Sequence, residues 1–391
     1  MPMDNVAPLP HRDYFRLCSS CGLCTSQCTV RPGIVLEGGN TATPQEISRY
    51  LLSLEHGEDI HGTKENSIPK AFICTACGIC DHVCPYYVPF LEKLVGAREW
   101  LLTGAAIKIP ENLVEMEGNI TASGNPYGYP REKRDEWVRE DFPELDKADV
   151  VFYPGCQTAY NFFRVETAIM KILKAGGVAA SLPGRTDQCC GRFLYFLGSG
   201  GRMKSAAIAN VENVRKKGAK ILLANCSSCY LAFKKDYPLI VGNLPFSVMH
   251  TTEYIRLLIG EGRLDLRKPL NKKIIYHDPC ELGRIGGVME APREVLRSLP
   301  GVELLEFERN REDGLCCGGG GLFEALDETQ AFAIGEKLVR EAVSKGAELM
   351  AIACPTCNNV FAMARDNLKM KGELGGKLQI KDVAEIVLKC I

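Results

Sequence analysis

Cysteine residues carry most of the chemistry that this sequence can support. The chain has 391 residues and 19 cysteines, and the first eight form two copies of the spacing Cys-x2-Cys-x2-Cys-x3-Cys, starting at Cys18 and Cys74. Pro85 directly follows the last cysteine of the second run, whereas Thr29 stands at that place in the first. This spacing is typical of loops that bind [4Fe-4S] cubane clusters, because three thiolates on one tight loop can each bind a different iron. The sequence therefore predicts two such clusters.

The fourth cysteine of each run is expected to serve the cluster of the other run. By this crossed pairing, one cluster is predicted at Cys18, Cys21, Cys24 and Cys84, and the other at Cys74, Cys77, Cys80 and Cys28. Zinc is the alternative metal, but zinc sites normally draw two cysteine pairs from separate hairpins, and four cysteines within eleven residues fit that geometry poorly. The nearby His56, His61 and His82 are expected to be surface histidines rather than further ligands.

The next ten cysteines form a longer pattern that occurs twice. The spacing Cys-x32-Cys-Cys-Gly-x34-Cys-x2-Cys starts at Cys156 and recurs, with gaps of x35, x35 and x2, at Cys280. The offset between corresponding cysteines is 124 residues at Cys280 and 128 at Cys354, so the copies differ by four inserted residues. Such self-similarity indicates an internal duplication. In a cytoplasmic chain, where thiols stay reduced, these cysteines are interpreted as ligands rather than as disulfides.

Each group of cysteines in the duplication follows an apolar segment with the character of a strand. Strands are predicted, in chain order, over 150–154, 178–183, 220–225, 273–279, 302–307 and 349–353. Helices are predicted between them, over 162–175, 203–217, 292–299 and 329–345, with further helices opening at Cys226 and Cys354. Open α/β sheets bind ligands beyond the carboxyl ends of their strands. We therefore expect two Rossmann-like α/β lobes, related by a pseudo-twofold axis, whose cysteine sites face a common cleft.

The remaining segments complete the predicted domain organisation. A segment that begins at Pro44 places apolar residues at helical spacing, so the two cysteine runs are expected in a helical surround. Between 110 and 148 the chain is polar and interrupted by Gly and Pro, which predicts a surface linker that Tyr127 and Trp137 fix to a neighbouring domain. The predicted units are a helical, ferredoxin-like domain at 1–109, the linker at 110–148, and two lobes at 149–270 and 271–391.

Two sequence strings connect the duplication to a known family. YHDPCELGR surrounds Cys280, and CCGGGGLF begins at Cys316. Together with the cysteine spacing, they resemble the cysteine-rich CCG domain of heterodisulfide reductase catalytic subunits. The order of two ferredoxin runs followed by two CCG domains is similar to the membrane-linked form of those catalytic subunits and to bacterial relatives such as the iron-sulfur subunit of anaerobic glycerol-3-phosphate dehydrogenase. Glu281, directly after Cys280, departs from the residue expected in close relatives.

The resemblance implies one non-cubane [4Fe-4S] cluster in each lobe. The implied ligands are Cys156, Cys189, Cys190, Cys226 and Cys229 in the first lobe, and Cys280, Cys316, Cys317, Cys354 and Cys357 in the second. These ten residues are also the expected catalytic residues, because two clusters that face one disulfide could deliver one electron to each sulfur. The implied protein is a heterodisulfide reductase-like enzyme subunit whose ferredoxin clusters supply electrons. The alternative is an electron-transfer subunit between a flavoprotein dehydrogenase and a membrane quinone or cytochrome partner.

Several other residues near the cysteines are candidates for function. His277 is expected to end a strand beside a cluster, and it is either a proton donor to a product thiolate or an ordinary histidine bonded to the backbone. Arg192, Arg284 and Arg311 flank the cysteine motifs and are candidates for binding an anionic substrate. Cys390 belongs to no motif and is interpreted as an ordinary thiol.

Composition and the remaining motifs argue against other classes of protein. The chain has 47 Lys and Arg against 48 Asp and Glu, a net charge of -1 that gives no general attraction to nucleic acid. The strings GSGG and GGGG lack the Gly-Lys-Ser/Thr end of a phosphate loop. Without a signal-peptide core or a run of about 18 apolar residues, the protein is predicted to be cytoplasmic and to reach the membrane's inner face only through a partner subunit. The expected partners are other subunits of a redox complex and a small disulfide or thiol.

Overall fold

The computed structural model contains three packed units. It describes residues 8–391 except 19–20, 37–40, 57–67, 104–108, 139–141, 143–144, 185–187 and 376–377. His61 therefore lies outside the described residues.

The N-terminal unit, called here the ferredoxin module, is helical, as the sequence predicts. Its helices are α1 (Arg12–Cys18), α2 (Pro44–Glu55), α3 (Ile79–His82) and α4 (Phe90–Thr103), with 3-10 turns at Leu23–Gln27 and Lys70–Phe72. Helix α2 begins where the sequence places Pro44, because Thr43 and Glu46 form a capping box around its first turn. Ile47 and Leu51 face inward from α2 and are fully buried. The helix therefore supports the two cysteine loops from one side.

The segment 110–148, predicted to be a surface linker, contains regular structure and buried residues. It forms α5 (Glu111–Ser123) and a 3-10 turn at Arg131–Asp135. Gly124, in the left-handed conformation, ends α5, and the fully buried Asn125 bonds the backbone of Tyr127 and Tyr129 through its side chain. The glycine and proline signals thus mark a capped helix end and a tight turn rather than a loose connection. Trp137 packs in the core of the first lobe, as predicted.

The first lobe is built on a parallel four-stranded sheet. Its strands are β1 (Val150–Tyr153), β2 (Ala180–Ser181), β3 (Ile221–Ala224) and β4 (Ser247–His250), in the order β2-β1-β3-β4. Its helices are α6 (Cys156–Asn161), α7 (Phe163–Ala175), α8 (Arg192–Leu197), α9 (Gly200–Lys216), α10 (Ser227–Leu231), α11 (Tyr237–Val241) and α12 (Thr251–Gly260), with a π-helical turn at Ala232–Asp236. All four residues of β1 are buried, because helices cover both faces of the sheet.

The second lobe repeats this topology. Its strands are β5 (Lys272–Tyr276), β6 (Val302–Glu306), β7 (Leu349–Ile352) and β8 (Gln379–Asp382), in the order β6-β5-β7-β8, again all parallel. Its helices are α13 (Glu290–Arg297), α14 (Phe323–Leu326), α15 (Glu328–Ser344), α16 (Pro355–Met370) and α17 (Val383–Leu388), with a π-helical turn at Glu281–Ile285 and a 3-10 turn at Arg311–Asp313. The matching strand orders confirm the predicted duplicated α/β fold.

Hydrophobic packing joins the three units into one body. One core runs through both lobes, from β1 and β3 in the first to β5 and β7 in the second. A second core fills the ferredoxin module and takes in Phe196 from the first lobe and Phe323 from the second. In each lobe, cysteines follow the carboxyl ends of the two central strands, so the sheets place them along one shared face.

Candidate metal centres and the cavity between them

The eight cysteines of the ferredoxin module surround two small cavities. The outer site is lined by Cys18, Cys21, Cys24 and Cys84, and the inner site by Cys28, Cys74, Cys77 and Cys80. Cys80 also borders the outer site. The last cysteine of each run therefore lies with three cysteines of the other run, which is the geometry that crossed pairing requires. The exposed His56 and His82 lie outside both cavities and bond Arg12 and Asp313.

The thiols at these two sites have the surroundings of metal ligands. Burial and neighbouring thiols raise the pKa of Cys18 to about 12 and that of Cys24 to about 11, so neither ionises readily unless a cation stabilises the thiolate. Backbone N-H groups point at sulfur in both sites: Ala76 donates to Cys74 Sγ at 3.4 Å and Val88 to Cys84 Sγ at 3.5 Å. Such donors stabilise a negatively charged iron-sulfur cluster. The residues present therefore fit two [4Fe-4S] groups.

The first lobe gathers its five cysteines at the carboxyl ends of β1 and β3. The Sγ atoms of Cys156 and Cys189 lie 3.8 Å apart. Gly155 has a φ of 70°, and a Cβ atom at this position would lie 3.1 Å from Cys229 Sγ. Only glycine combines this backbone conformation with such a close approach to sulfur.

The second lobe repeats the arrangement with corresponding residues. Cys280 Sγ lies 3.8 Å from Cys316 Sγ, the same distance as in the equivalent pair of the first lobe. Gly318 and Gly319 donate backbone N-H groups to Cys316 Sγ and Cys317 Sγ, each at 3.4 Å. Adjacent cysteines thus point their sulfur atoms into one pocket with backbone donors behind them.

The two cysteine groups meet at the boundary between the lobes. Cys226 hydrogen-bonds Cys354, its counterpart in the duplication, and Ser227 Oγ donates to Cys354 Sγ at 3.0 Å. Direct contact between equivalent residues is what the predicted pseudo-twofold axis would produce at this point. All ten cysteines line one open cavity of about 680 Å³, called here the central cavity. The common cleft expected from the sequence is therefore present.

The pKa shifts of two pairs of these crowded thiols repeat between the lobes. Hydrogen bonds from neighbouring thiols lower the pKa of Cys190 to about 5 and that of Cys317 to about 6. The same contacts raise the pKa of their partners Cys229 and Cys357. Five thiolates, four of them buried, cannot all be ionised in so small a space without cations, and thiolates are soft ligands that favour iron-sulfur clusters. The donor set of each lobe fits such a group.

His277 lies behind the second group of cysteines rather than among the residues that line the central cavity. A ring nitrogen of His277 and the Sγ atoms of Cys317 and Cys357 lie within 4.8 Å of one another. The ring is 2% exposed and stacks edge-on against Phe361 at 4.7 Å between centroids. Burial lowers the pKa of His277 to about 4, so the ring is neutral at pH 7.

The three arginines that flank the motifs are each engaged by other groups. Arg192 Nη1 bonds Asp236 at 2.7 Å and its Nη2 bonds Glu281 at 2.6 Å. Arg284 bonds backbone carbonyls, among them that of Cys77 at 2.7 Å, while Arg311 Nε bonds a Glu290 oxygen at 2.7 Å.

The buried network around Glu281 links the lobes. Glu281 also accepts a hydrogen bond from Ser228 of the first lobe. Its carboxylate therefore fixes the position of the chain directly after Cys280 relative to the first lobe.

Two cavity residues were missed by the sequence reasoning. Glu324, at the second position of α14, lines the cavity, accepts a hydrogen bond from Asn359 at 2.5 Å, and has its pKa raised to about 7 by burial. Tyr127, predicted to have only a packing role, also lines the cavity. Neither has a sequence signal of its own, because long-range packing brings both to the cysteines.

The ferredoxin module contacts the second lobe through its second cysteine run. Cys77 hydrogen-bonds Cys316, and Arg284 ties the carbonyl of Cys77 to the second lobe. Cβ atoms built on Gly320 and Gly321 would lie 2.7 Å from the Thr75 carbonyl oxygen and 2.4 Å from that of Cys74. The glycine run after Cys317 therefore lets the inner site approach the second lobe with no side chain between them.

Comparisons with known proteins match each of these units. Residues 17–89 match the 4Fe-4S dicluster domain family, and residues 150–234 and 274–362 each match the family described as Cysteine-rich domain. The chain is 34% identical, over 89% of its length and 81% of the relative, to a subunit of the dihydromethanophenazine:CoB-CoM heterodisulfide reductase of Methanosarcina barkeri. The chain belongs to the family of this heterodisulfide reductase subunit.

Relatives within and beyond the heterodisulfide reductase family extend to other redox systems. The chain is 27% identical, over its whole length and 60% of the relative, to the EtfAB:quinone oxidoreductase of Syntrophomonas wolfei. It is 28% identical, over 82% of its length and 46% of the relative, to a probable iron-sulfur-binding oxidoreductase of Bacillus subtilis. The protein is thus an iron-sulfur oxidoreductase, and its relatives include components of multi-subunit redox complexes. Within the described residues, no helix is long and apolar enough to cross a membrane.

Proposed function

We propose that this protein interconverts a small disulfide and its two thiols in the central cavity. The observation that carries the proposal is that all ten cysteines of the two lobes line one open cavity, and not two closed pockets. An electron conduit needs closely spaced clusters but no open volume between them. Clusters bound to the ten cysteines would fill part of this cavity of about 680 Å³, and its open side, lined by aromatic and amide side chains, would be left for a small molecule.

Four clusters would serve this reaction. Two [4Fe-4S] cubane clusters are assigned to the outer and inner sites, with the crossed cysteine pairing predicted from the sequence. A non-cubane [4Fe-4S] cluster is assigned to the five cysteines of each lobe, which act as both ligands and catalytic residues. When bound, such clusters supply electrons one at a time.

Contacts between the sites support a defined route for the electrons. The outer site borders the inner site at Cys80, and the inner site contacts the second lobe at Cys77 and Cys316. The lobes meet at Cys226 and Cys354. Electrons would therefore pass from the outer to the inner site, then to the second lobe, and from there to the first.

The reaction balances when two electrons and two protons are supplied. The S-S bond breaks, each sulfur gains one electron, and each product thiolate takes one proton to give two thiols. Glu324 faces the cavity, and its raised pKa of about 7 allows it to hold a proton at neutral pH. We assign to it the delivery of one of the two protons. The proton-donor role predicted for His277 has less support, because His277 is outside the cavity lining.

Electrons would reach the outer site from a partner subunit that carries a flavin, a haem or another one-electron centre. Cys21 is exposed at this site, and beside it Leu17, Leu23, Tyr86 and Tyr87 expose between 46% and 89% of their surface. An apolar surface of this kind next to a redox site suits a protein partner, since it would shorten the distance for electron transfer and exclude water. Attachment to the membrane, if it occurs, would come through that partner.

The second candidate function is electron transfer without substrate chemistry, as a link between a flavoprotein and a quinone-reducing partner. The whole-length similarity to EtfAB:quinone oxidoreductase favours it. In this case the ten lobe cysteines would bind clusters, but no thiol would interact with them.

Anaerobic iron analysis combined with electron paramagnetic resonance (EPR) tests the proposal. We expect about sixteen irons per chain, negligible zinc, and a change in the lobe-cluster signal when thiols are added to the oxidised protein. Saturation near eight irons would exclude clusters in the lobes and, with them, the proposed disulfide chemistry. A full iron load with no response to any thiol, and no turnover of disulfide, would favour the electron conduit.

A further inference from the structure

The walls of the central cavity are aromatic and amide-rich, which suits a substrate with uncharged groups beside its sulfur atoms. Tyr127 and Tyr129 come from the segment after α5, and Phe162 and Phe193 come from the first lobe. Asn359 adds a side-chain amide from the second lobe. These groups contact apolar or hydrogen-bonding parts of a ligand and provide no fixed positive charge.

The charged residues of the cavity are mostly acidic. Among the described residues that line it, Arg192 is the one lysine or arginine, whereas Glu281 and Glu328 are carboxylates. Glu324, whose pKa burial raises to about 7, is ionised part of the time at neutral pH. The ten cysteines add further negative charge whenever they act as thiolate ligands. A bound molecule therefore enters a region of negative potential.

Arg192 does not reverse this balance, because two carboxylates hold its guanidinium. Its contacts with Asp236 and Glu281, at 2.7 and 2.6 Å, leave the three groups with a net charge of one negative unit. The remaining Nε atom is buried and inaccessible to solvent. The guanidinium also packs on Phe196, with 4.5 Å between its Cζ atom and the ring centroid, which fixes it in the wall.

We infer that this cavity selects disulfides and thiols that are neutral or positively charged and discriminates against those that carry sulfonate, phosphate or carboxylate groups. This inference rests on the proposed function. An anionic substrate would lose its hydration in the cavity and find no free cation in exchange, whereas an ammonium group would find carboxylates.

Three disulfides with the same -S-CH2-CH2- frame provide the test. Cystamine ends in ammonium groups, bis(2-hydroxyethyl) disulfide in hydroxyls, and dithiobis(ethanesulfonate) in sulfonates. With electrochemically reduced viologen as donor at low ionic strength, kcat/KM should fall in that order, by at least about tenfold from first to last. Added salt should narrow the range, since screening weakens interactions between charges. For the corresponding thiols, the concentration that produces half of the change in the lobe-cluster EPR signal should rise from the ammonium to the hydroxyl to the sulfonate compound.

Charge variants locate the effect. Glu328→Gln, at the cavity rim, should raise the sulfonate-to-ammonium ratio of kcat/KM, whereas Glu303→Gln, outside the cavity lining, should leave that ratio unchanged. Equal or preferred use of the sulfonate disulfide would overturn the inference while leaving the proposed function intact. If none of the three disulfides reacts and none of the thiols changes the signal, the proposed function itself fails.

A second inference concerns His277, and a different observation carries it. The Nε2 atom of this buried ring has no hydrogen-bond partner among the described residues, although a ring nitrogen lies within 4.8 Å of Cys317 Sγ and Cys357 Sγ. Tyr153 occupies the equivalent place in the first lobe, at the end of β1, and its hydroxyl donates to the Gln188 carbonyl. The second lobe thus has a ring nitrogen without a described partner beside its cysteines, where the first lobe has a hydroxyl that already donates a hydrogen bond.

We propose that His277 is a positioning residue that donates Nε2-H to the cysteine sulfurs of the second lobe and raises the reduction potential of the group bound there. Hydrogen bonds to cluster sulfurs are a known control on potential. The effect would make the second-lobe site easier to reduce than the first-lobe site, which suits its contact with the inner site.

A potentiometric titration followed by EPR tests this proposal. His277→Phe should lower the midpoint potential of the second-lobe signal, His277→Gln should partly restore it through its amide N-H, and Tyr153→Phe should leave the first-lobe potential unchanged. Unchanged midpoints in His277→Phe would overturn the donor role. Loss of second-lobe iron in both His277 variants would also overturn it, because His277 would then be a ligand.

Discussion

The two lobes share a sheet topology and five cysteines, but they differ in the residues that follow the adjacent cysteine pair. The first lobe continues from Gly191 into Arg192, Phe193 and Leu194, whereas the second continues from Gly318 through three more glycines. In the first lobe these side chains form α8 and part of the cavity wall. In the second lobe their absence makes room for the backbone at Cys74 and Thr75.

This difference gives the glycine run a physical role. At Gly320 and Gly321, which also border the central cavity, the string GGGG makes room for the cysteine loop of the ferredoxin module. Leu194 at the place of Gly321 would collide with the Cys74 carbonyl. On the electron route proposed above, the duplicated lobes would differ in electron supply, and the following predictions test that difference.

Loss of a lobe cluster should have the largest effect, and it should differ between lobes. Cys190→Ser and Cys317→Ser should each abolish disulfide reduction and alter the spectrum of their own lobe. In Cys317→Ser the first-lobe site should also be reduced at least about tenfold more slowly, because its supply runs through the second lobe. In Cys190→Ser the second-lobe site should be reduced at the same rate as in the unmodified protein.

Freeze-quench EPR after mixing with a reduced low-potential ferredoxin measures this asymmetry, since that protein is too large to enter the central cavity. Cys390→Ser is the control: Cys390 is fully buried in the core shared by the lobes and lies outside the cavity, so both cluster signals should remain. If the remaining lobe site were reduced at the same rate in both cysteine variants, electron delivery to the first lobe through the second would be ruled out.

Overpacking the contact between the ferredoxin module and the second lobe should have the next largest effect. Gly321→Ala adds a Cβ atom 2.4 Å from the Cys74 carbonyl oxygen at a residue with a φ of 62°. Strain and overpacking should lower the free energy of unfolding by about 2–4 kcal/mol and slow reduction of the second-lobe site. Differential scanning fluorimetry and freeze-quench EPR follow the two changes.

The matched control lies in the first lobe. Gly201 sits in α9, and a methyl group added to its Cα would meet no atom within 4 Å, so Gly201→Ala should raise helix stability by up to about 1 kcal/mol. Electron transfer should not change in this variant. The same loss of stability in both variants would mean that the contact at Gly321 is not special.

The smallest predicted effect concerns pH and the residue that ends the fourth strand of each lobe and caps the helix that follows. His250 in the first lobe and Asp382 in the second both cap these helices, and both bond Asn225. Burial lowers the pKa of His250 from 6.5 to about 4 and raises the pKa of Asp382 from 3.8 to about 7. One duplicated position therefore responds to acid in two opposite ways.

The signs follow from proton binding in the unfolded chain. His250 contributes stability above pH 6.5 that is lost as pH falls towards about 4, whereas Asp382 contributes stability below pH 3.8 that is lost as pH rises through about 7. Between pH 7 and pH 5, His250→Asn should gain about 2 kcal/mol relative to the unmodified protein, and Asp382→Asn should lose a similar amount. Urea unfolding at both pH values measures this, and changes of the same sign would contradict it.

The sequence predicts the parts of this fold that local pattern controls. Cysteine spacing identifies both runs and both lobes. Buried strands such as β1 and β7 can be predicted because helices cover both faces of each sheet, so these strands are continuously apolar. Strands β4 and β8 escape the prediction, since their sequences SVMH and QIKD mix polar and apolar residues at the edge of each sheet.

The site is harder to predict from the sequence where it depends on contacts between distant segments. Glu324 reaches the cavity through the position of α14, and Tyr127 does so because the buried Asn125 holds the turn after α5. The docking of Gly321 on Cys74 joins residues that are far apart in the chain. Nothing in the local sequence around Glu324 or Tyr127 distinguishes them from ordinary surface positions.

Arg98 adds a consequence for how the protein is made. This fully buried residue of α4 donates from Nε to the Ala71 carbonyl at 2.8 Å and from Nη1 to the Phe196 carbonyl at 2.6 Å. The ribosome adds about 5–20 residues per second, so roughly 5–20 s separate the synthesis of Arg98 from that of its partner in the first lobe. Until then Arg98 Nη1 lacks its partner, so we expect this part of the guanidinium to keep its water and this side of the ferredoxin module to stay open. We expect metal insertion there to precede closure by the lobes, so the part of the chain synthesised first is the last to be sealed.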